Sequence, residues 1–361
     1  MRILADASLP GLENAFPPPF TLSLYSDNKE LMSLLKGQDI LLCRATLKVN
    51  SELLKEHHLK YVATASSGTD HLDHSFLNSQ KIQIIDAKGA NASAVADYVV
   101  SCLAYLEKNK LINGNKAGVI GIGKVGEKVC TRLHHANYQL ALFDPLKALQ
   151  DQHFQSCAKE ELYDMDLLCI HAELHDQPPY PSANLLDDVF LAALKPGCVI
   201  INAARGGIIN EEALLNTSQP LIYCTDVYAN EPAIDERMVN RATLCTPHIA
   251  GHTIEAKLAA VTMVSEKLHH LSGLPVPQFN STLMPPHQIM EISKDKSWQE
   301  VVLSLYNPAD ETAQLKQSLD KKNAFLNLRK SHQKRHDFSI YSELISNQNI
   351  KLFFVRDKNL K

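Results

Sequence analysis

Gly118-Val119-Ile120-Gly121-Ile122-Gly123-Lys124-Val125-Gly126 is the stretch that decides the fold of this chain. Lys116 to Ile120 reads as a strand and residues 124–136 as a helix, so G-x-G-x-x-G falls at a strand-to-helix turn. Gly121 permits the tight turn, and Gly123 lets a pyrophosphate approach the backbone. Gly126 brings the helix close to the strand, so that the helix N-terminal amides face the phosphates. Asp144 follows a strand at 139–143, 18 residues after Gly126. A carboxylate there accepts hydrogen bonds from a ribose diol and repels a 2′-phosphate, which predicts NAD rather than NADP.

Outward from this turn the chain alternates strands and helices. Further strands are expected at 166–170, 198–202, 221–225 and 243–245. On the N-terminal side, Met1 to Asp6, Ile40-Leu41-Leu42-Cys43, Tyr61-Val62-Ala63-Thr64 and Ile82-Gln83-Ile84-Ile85 read as strands, with helical segments near 29–36 and 50–57 between them. This is the βαβ pattern of a parallel sheet. A long helix over about 93–108 connects the two α/β regions, and another over about 254–271 ends at Ser272-Gly273 with Pro275 beyond it. After residue 280 the composition changes. The tail holds the only tryptophan, Trp298, and a basic cluster of Arg329, Lys330, Lys334, Arg335 and His336. The expected domains are 1–92, completed by 259–279; 93–258; and 280–361.

The bulk properties set the class. The chain has 361 residues, 45% hydrophobic and 21% charged, enough for two or three domains with real cores. A net charge of -4 gives no reason to expect a nucleic-acid or membrane partner. The N-terminus meets Asp6, Pro10 and Glu13 too soon for a signal peptide. The eight cysteines are scattered, mostly within apolar runs, without C-x-x-C, as buried reduced thiols are in a cytoplasmic protein. His57-His58, His134-His135 and His269-His270 read as helix-surface pairs, and no metal site is expected.

The chemistry follows three later strands. Ala203-Ala204-Arg205-Gly206 comes after the strand ending at Asn202, Asp226 through Glu231-Pro232 after the next, and Thr246-Pro247-His248-Ile249-Ala250-Gly251 after the last. Ligands of an open parallel sheet sit beyond the carboxyl ends of its strands, so Arg205, Glu231 and His248 are expected to converge there. Removing hydride from a carbon that bears a hydroxyl also requires loss of the hydroxyl proton. An imidazole, which titrates near neutrality, suits that task at His248. A carboxylate on its other ring nitrogen fixes the tautomer, a role for Glu231. A guanidinium grips a carboxylate in a forked geometry, a role for Arg205. Asp226 reads either as a helix cap or as a second ligand to the cofactor. Each residue alone is more readily read as ordinary loop; the joint pattern carries the reading.

These motifs, with Leu194-Lys195-Pro196-Gly197, resemble the D-isomer-specific 2-hydroxyacid dehydrogenases over most of residues 40–275. The resemblance implies two Rossmann-like parallel-sheet domains with catalysis by Arg205, Glu231 and His248 at the cleft between them. It implies NAD contacts at Gly121, Gly123, Lys124, Val125, Gly126, Asp144, Ala203, Ala204, Arg205, Asp226 and Gly251. One branch of the family is a closer match, through Met1 to Asp6, Lys48-Val49-Asn50, Gly68-Thr69-Asp70-His71 and the segment Phe325 to Phe338. That branch implies a small α+β C-terminal dimerisation domain, a homodimer, and a four-carbon 2-hydroxy acid carrying a 4-phosphate as substrate. Substrate contacts are implied at Arg44, Ala45, Ser66 and His252. The branch has serine in place of Ala45, threonine in place of Ser66 and tyrosine in place of His252. Arg44, Lys48 and the basic tail cluster are the candidates for holding a phosphate. Two other readings stand beside this one: a dehydrogenase of the phosphoglycerate or glyoxylate type, and an NAD-sensing interaction protein.

Overall fold

The computed structural model describes residues 1–55, 57–279, 296–332 and 335–354. Eleven strands are described: β1 (Arg2–Asp6), β2 (Thr21–Tyr25), β3 (Ile40–Cys43), β4 (Tyr61–Thr64), β5 (Gln83–Ile85), β6 (Lys116–Ile120), β7 (Gln139–Phe143), β8 (Leu167–Ile170), β9 (Val199–Asn202), β10 (Ile222–Thr225) and β11 (Leu244–Cys245). The helices of the first half are α1 (Leu12–Ala15), α2 (Asn28–Leu34), α3 (His74–Ser79), α4 (Ala92–Lys108), α5 (Lys124–His135) and α6 (Pro145–Gln150). Then come α7 (Asp188–Ala193), α8 (Glu211–Asn216), α9 (Glu236–Arg241) and α10 (Ile254–Leu271). The tail carries α11 (Trp298–Leu305), α12 (Ala309–Gln317), α13 (Lys321–Ser331) and α14 (Gln348–Lys351).

The chain divides into two compact units, Met1–Asn91 with Thr253–Met284 and Ala92–His252 with Pro285–Lys361. The first unit holds a five-stranded parallel sheet in the order β2-β1-β3-β4-β5. α10, capped by the Thr253 side chain on the Ala256 amide, returns to this sheet and buries Ala260, Val261, Val264 and Leu268 against it. Every residue of β3 is buried, the signature of a parallel strand covered on both faces. β2, which sequence reading misses, is an edge strand whose Thr21-Leu22-Ser23-Leu24 is largely exposed, so it shows no apolar run. The helix expected at 50–57 is absent: residues 51–55 form turns, the Asn50 side chain takes the Leu53 amide, and Val49 bridges to Leu72. His269 is not a surface residue either. It is buried, with its ring edge-on to Phe20 at 4.9 Å.

The second unit is built on a six-stranded parallel sheet ordered β11-β10-β9-β8-β6-β7. The direction of winding reverses at β6 and β8, which flank the topological switch point. The tail belongs to this same unit. Val301, Val302, Phe338, Tyr341 and Phe354 share one apolar core with β6 and α4, while Leu315 and Phe325 share another with β8 and β9. Where the sequence suggests a separate module, these large buried side chains weld it to the sheet. Among the described residues the tail has helices and no strand. Of the basic tail cluster, Arg335 is buried, only 8% exposed, and Lys334 lies outside the described residues. All eight cysteines are free thiols, six of them buried. Among the described residues, no helix is long and apolar enough to cross a membrane.

Candidate active site

The glycine turn has the shape its sequence predicts. Gly121 has φ of 88°, and a Cβ there would lie 2.4 Å from the Ala172 amide nitrogen. A Cβ on Gly126 would lie 2.0 Å from the Gly121 carbonyl oxygen, so only glycine lets α5 approach β6 this closely. Gly123, the residue that caps α5, faces open space, with nothing within 4 Å of a Cβ position. The open glycine at the start of a twelve-residue helix fits the close approach of a dinucleotide pyrophosphate. Lys124 and Val125 form the first turn of α5. Asp144 ends β7 and shapes the rim: its Oδ2 accepts the Ile122 amide at 2.8 Å, and its Oδ1 accepts the Lys147 amide at 2.9 Å to cap α6.

Sequence reading overlooks His171, the residue directly after β8 on the other side of the switch point. Both ring nitrogens are enclosed without a hydrogen-bond partner among the described residues, and burial pushes the imidazole down to about 3. The rule that singles out Arg205, Glu231 and His248, a polar residue just past a strand, would have found it.

β9, β10 and β11 end level with one another, Asn202 pairing with Thr225 and Thr225 with Cys245. The three reactive residues therefore leave the same edge of the sheet. Ala203, Ala204 and Arg205 turn back at once: Asn202 accepts the Ala204 amide at 3.1 Å and donates to the Arg205 carbonyl at 3.1 Å. The Arg205 guanidinium donates to the Ala204 carbonyl at 2.8 Å and is half-buried. Gly206 packs against the Tyr228 backbone, which sets the arginine loop against the loop that carries Glu231. Glu231 accepts the Tyr228 amide at 3.0 Å through one carboxylate oxygen, and its other oxygen lies 2.6 Å from Nδ1 of His248. That contact engages Nδ1 and leaves Nε2 on the side of the ring away from Glu231. Burial pushes the Glu231 carboxyl up. The adjoining His248, the hydrogen bonds from His248 and Tyr228, and the charge of Arg329 outweigh it and hold the group below its ordinary value.

His248 itself is held in a left-handed conformation, φ 55°, uncommon for a residue with a side chain. Asp226 enforces it. The Asp226 carbonyl accepts the His248 amide at 2.8 Å. Its buried carboxylate accepts the Thr246 hydroxyl at 2.7 Å and the Ile249 and Ala250 amides at 2.8 Å each. Burial raises the Asp226 carboxyl, only partly offset by His248 and these donors. Of the two readings open from sequence, the helix cap does not describe these contacts: both oxygens of Asp226 shape the loop that carries His248. Gly251 and His252 continue the loop, with the His252 amide on the Ile249 carbonyl at 2.9 Å.

The residues expected to contact substrate from the first unit lie at the carboxyl ends of β3 and β4. Arg44 Nε donates to Asp6 at 2.7 Å, and the Ser66 hydroxyl accepts the Ala45 amide at 3.1 Å. Lys48 is exposed.

A turn built for a dinucleotide and a histidine–glutamate pair beside an arginine define an NAD-dependent dehydrogenase acting at a CH–OH carbon. Comparison agrees: residues 102–250 match the D-isomer specific 2-hydroxyacid dehydrogenase, NAD binding domain family, and residues 277–351 match a domain of unknown function (DUF3410). Among solved structures, the chain shares its fold with an NAD-dependent formate dehydrogenase from Staphylococcus aureus in complex with NAD (TM-score 0.61, 24% identity, 76% of this chain and 97% of that one). It also shares it with a D-lactate dehydrogenase from Aquifex aeolicus complexed with NAD and lactic acid (TM-score 0.60, 17% identity, 76% and 96%). The chain is 60% identical to erythronate-4-phosphate dehydrogenase of Legionella pneumophila over 94% of its own length and 96% of the relative's. It is 33% identical to that of Coxiella burnetii, over 94% of each. The chain belongs to the erythronate-4-phosphate dehydrogenase family.

Proposed function

We propose that this enzyme oxidises 4-phospho-D-erythronate to 2-oxo-3-hydroxy-4-phosphobutanoate in the biosynthesis of pyridoxal 5′-phosphate, with one NAD reduced and one proton released per turnover. The observation that carries the reading is the 2.6 Å contact between His248 Nδ1 and Glu231 Oε2, on loops that leave adjoining strands at one level. NAD, held at Gly121–Gly126 and Asp144, supplies the hydride acceptor. His248 Nε2 takes the proton of the C2 hydroxyl as the C–H bond breaks, and Glu231 stabilises the imidazolium that results. Arg205 orients the substrate carboxylate by a forked pair of hydrogen bonds. Arg44, Ala45, Ser66 and His252 remain the proposed substrate contacts, with Arg44, Lys48 and Arg329 the cations available to a phosphate. The enzyme is proposed to work in the cytoplasm as a homodimer formed through its C-terminal region. The family relatives and the glycine turn support these assignments.

NADH formation across 2-hydroxy acids, with and without a 4-phosphate, tests the reading. The expected result is turnover of 4-phosphoerythronate well above that of 3-phosphoglycerate or glycolate. His248→Ala should abolish turnover by about 10²- to 10⁴-fold while NAD still binds. Equal turnover of the unphosphorylated acids would overturn the substrate assignment, and an active His248→Ala variant would overturn the mechanism.

A further inference from the structure

β11 is a two-residue edge strand, yet it carries the catalytic loop. In an open sheet such an edge leaves backbone groups without a neighbouring strand. Here the tail takes the neighbour's place. The Thr312 hydroxyl on α12 accepts the Cys245 amide at 2.9 Å, and Lys316 donates to the Ala242 carbonyl just before the strand. Phe325 on α13 packs edge-on against Tyr228, the residue whose amide holds Glu231, with ring centroids 6.1 Å apart.

The tail also reaches the loop itself. Arg335 Nη2 donates to the carbonyl of Ala250, two residues past His248, and to the Ala94 carbonyl in α4 at 3.3 Å. Its guanidinium lies 4.6 Å over the Tyr306 ring, so the group is fixed on several sides. Ala250 is therefore clamped at both ends of its backbone, its amide by Asp226 and its carbonyl by Arg335. A left-handed residue such as His248 is strained and persists only where its surroundings over-determine it. Asp226 supplies one side of that constraint and Arg335 the other.

We propose that the C-terminal module is a brace for the catalytic loop within its own chain, and that Arg335 is a positioning residue for His248. The module's task is then catalytic geometry, whatever it also does between subunits. The proposal rests on the dehydrogenase reading for its kinetic test, so a second readout is independent of substrate.

The full-length Arg335→Met and Arg335→Lys variants are compared with wild type. Arg335→Met is expected to lower kcat about 10- to 100-fold, with the KM for NAD within about twofold, because misplacing a catalytic group by a fraction of an ångström slows chemistry without weakening cofactor binding. The primary deuterium isotope effect on the C2 hydrogen should rise as that step becomes limiting. Arg335→Lys, which keeps one donor for the Ala250 carbonyl, should recover part of the loss. Hydrogen exchange of the peptide 246–252 should quicken in Arg335→Met while that of β9 stays unchanged. If wild type gives no NADH with any 2-hydroxy acid, the dehydrogenase reading fails and the exchange comparison alone decides the brace. Unchanged exchange in 246–252 overturns the proposal, as does a kcat that stays at the wild-type value. Should Arg335→Met fail to fold, Arg335→Lys is read by itself: a lowered kcat with a raised isotope effect and faster exchange of 246–252 would support the brace, and wild-type kcat and exchange, whatever the Tm, would reduce Arg335 to a packing residue.

Discussion

Gly206 lies flush against the backbone of Tyr228: a Cβ on the glycine would come within 2.0 Å of both the carbonyl carbon and the carbonyl oxygen of the tyrosine. Backbone cannot step aside as a flexible side chain can, so any other residue at 206 must displace one of the two loops. One loop presents Arg205 and the other Glu231. Gly206→Ala is therefore expected to cost on the order of 10²-fold in kcat/KM, because a displacement of about 1 Å in a reacting group has that effect. Circular dichroism should remain native. A variant of wild-type activity would show that the loops adjust independently.

In the proposed mechanism Glu231 acts through His248, so its charge matters as well as its shape. Glu231→Gln keeps a polar group at the hydrogen-bond position but removes the anion that stabilises imidazolium. Burial alone would push the Glu231 carboxyl up; the adjoining His248, Tyr228 amide and Arg329 hold it below its ordinary value of 4.5. The wild-type carboxylate thus stays ionised through the neutral range, and the stability it contributes is present above about 4.5 and lost as the pH falls through its lower folded value. The expected outcome for Glu231→Gln is a fall in kcat of about 10²-fold or more across the neutral range, with little change in the KM for NAD. Steady-state rates from about pH 6 to pH 9 check it; a loss confined to the KM for NAD would reassign Glu231 to cofactor binding.

Asp144 has two tasks in the protein itself, holding the Ile122 amide in the glycine turn and capping α6 through the Lys147 amide. Loss of a helix cap costs roughly 1 kcal/mol. Asp144→Ala is expected to lower Tm by a few degrees and to weaken NAD binding by tenfold or more, with NADP now tolerated better relative to NAD. Thermal unfolding and quenching of Trp298 fluorescence by the two nucleotides measure both. Unaltered affinity and preference would remove Asp144 from the cofactor site.

The legibility of the sequence follows from the range of the interactions. β3, β8 and β9 are read from short apolar runs because each is buried on both faces. The glycine turn is read because its constraints are local, within a few residues. β2 escapes because an edge strand has no apolar run to show, and residues 51–55 mislead because the Asn50 side chain diverts the Leu53 amide from helix. The tail is the least legible part. Thr312 and Arg335 meet Cys245 and Ala250 across 67 and 85 residues of chain, and no local pattern encodes such contacts. Asp226 belongs between these cases: its place after β10 marks it as functional, but only the fold shows that its carboxylate is spent on the loop.

His171 offers a test of linkage between protonation and folding. Its imidazole is forced down to about 3 from an ordinary 6.5, with burial as the cause. The unfolded chain therefore binds a proton at a pH where the folded protein does not. Stability from this residue is fully present above about 6.5 and is lost progressively as the pH falls towards 3. Both ring nitrogens lack partners among the described residues, so an apolar substitute forfeits no hydrogen bond there. In His171→Leu the proton-linked loss disappears. Between about pH 7 and pH 5 the Tm of the wild-type apoprotein should fall more steeply than that of the variant. Parallel curves would mean that the buried imidazole finds a hydrogen-bond partner, water included, when it takes up a proton.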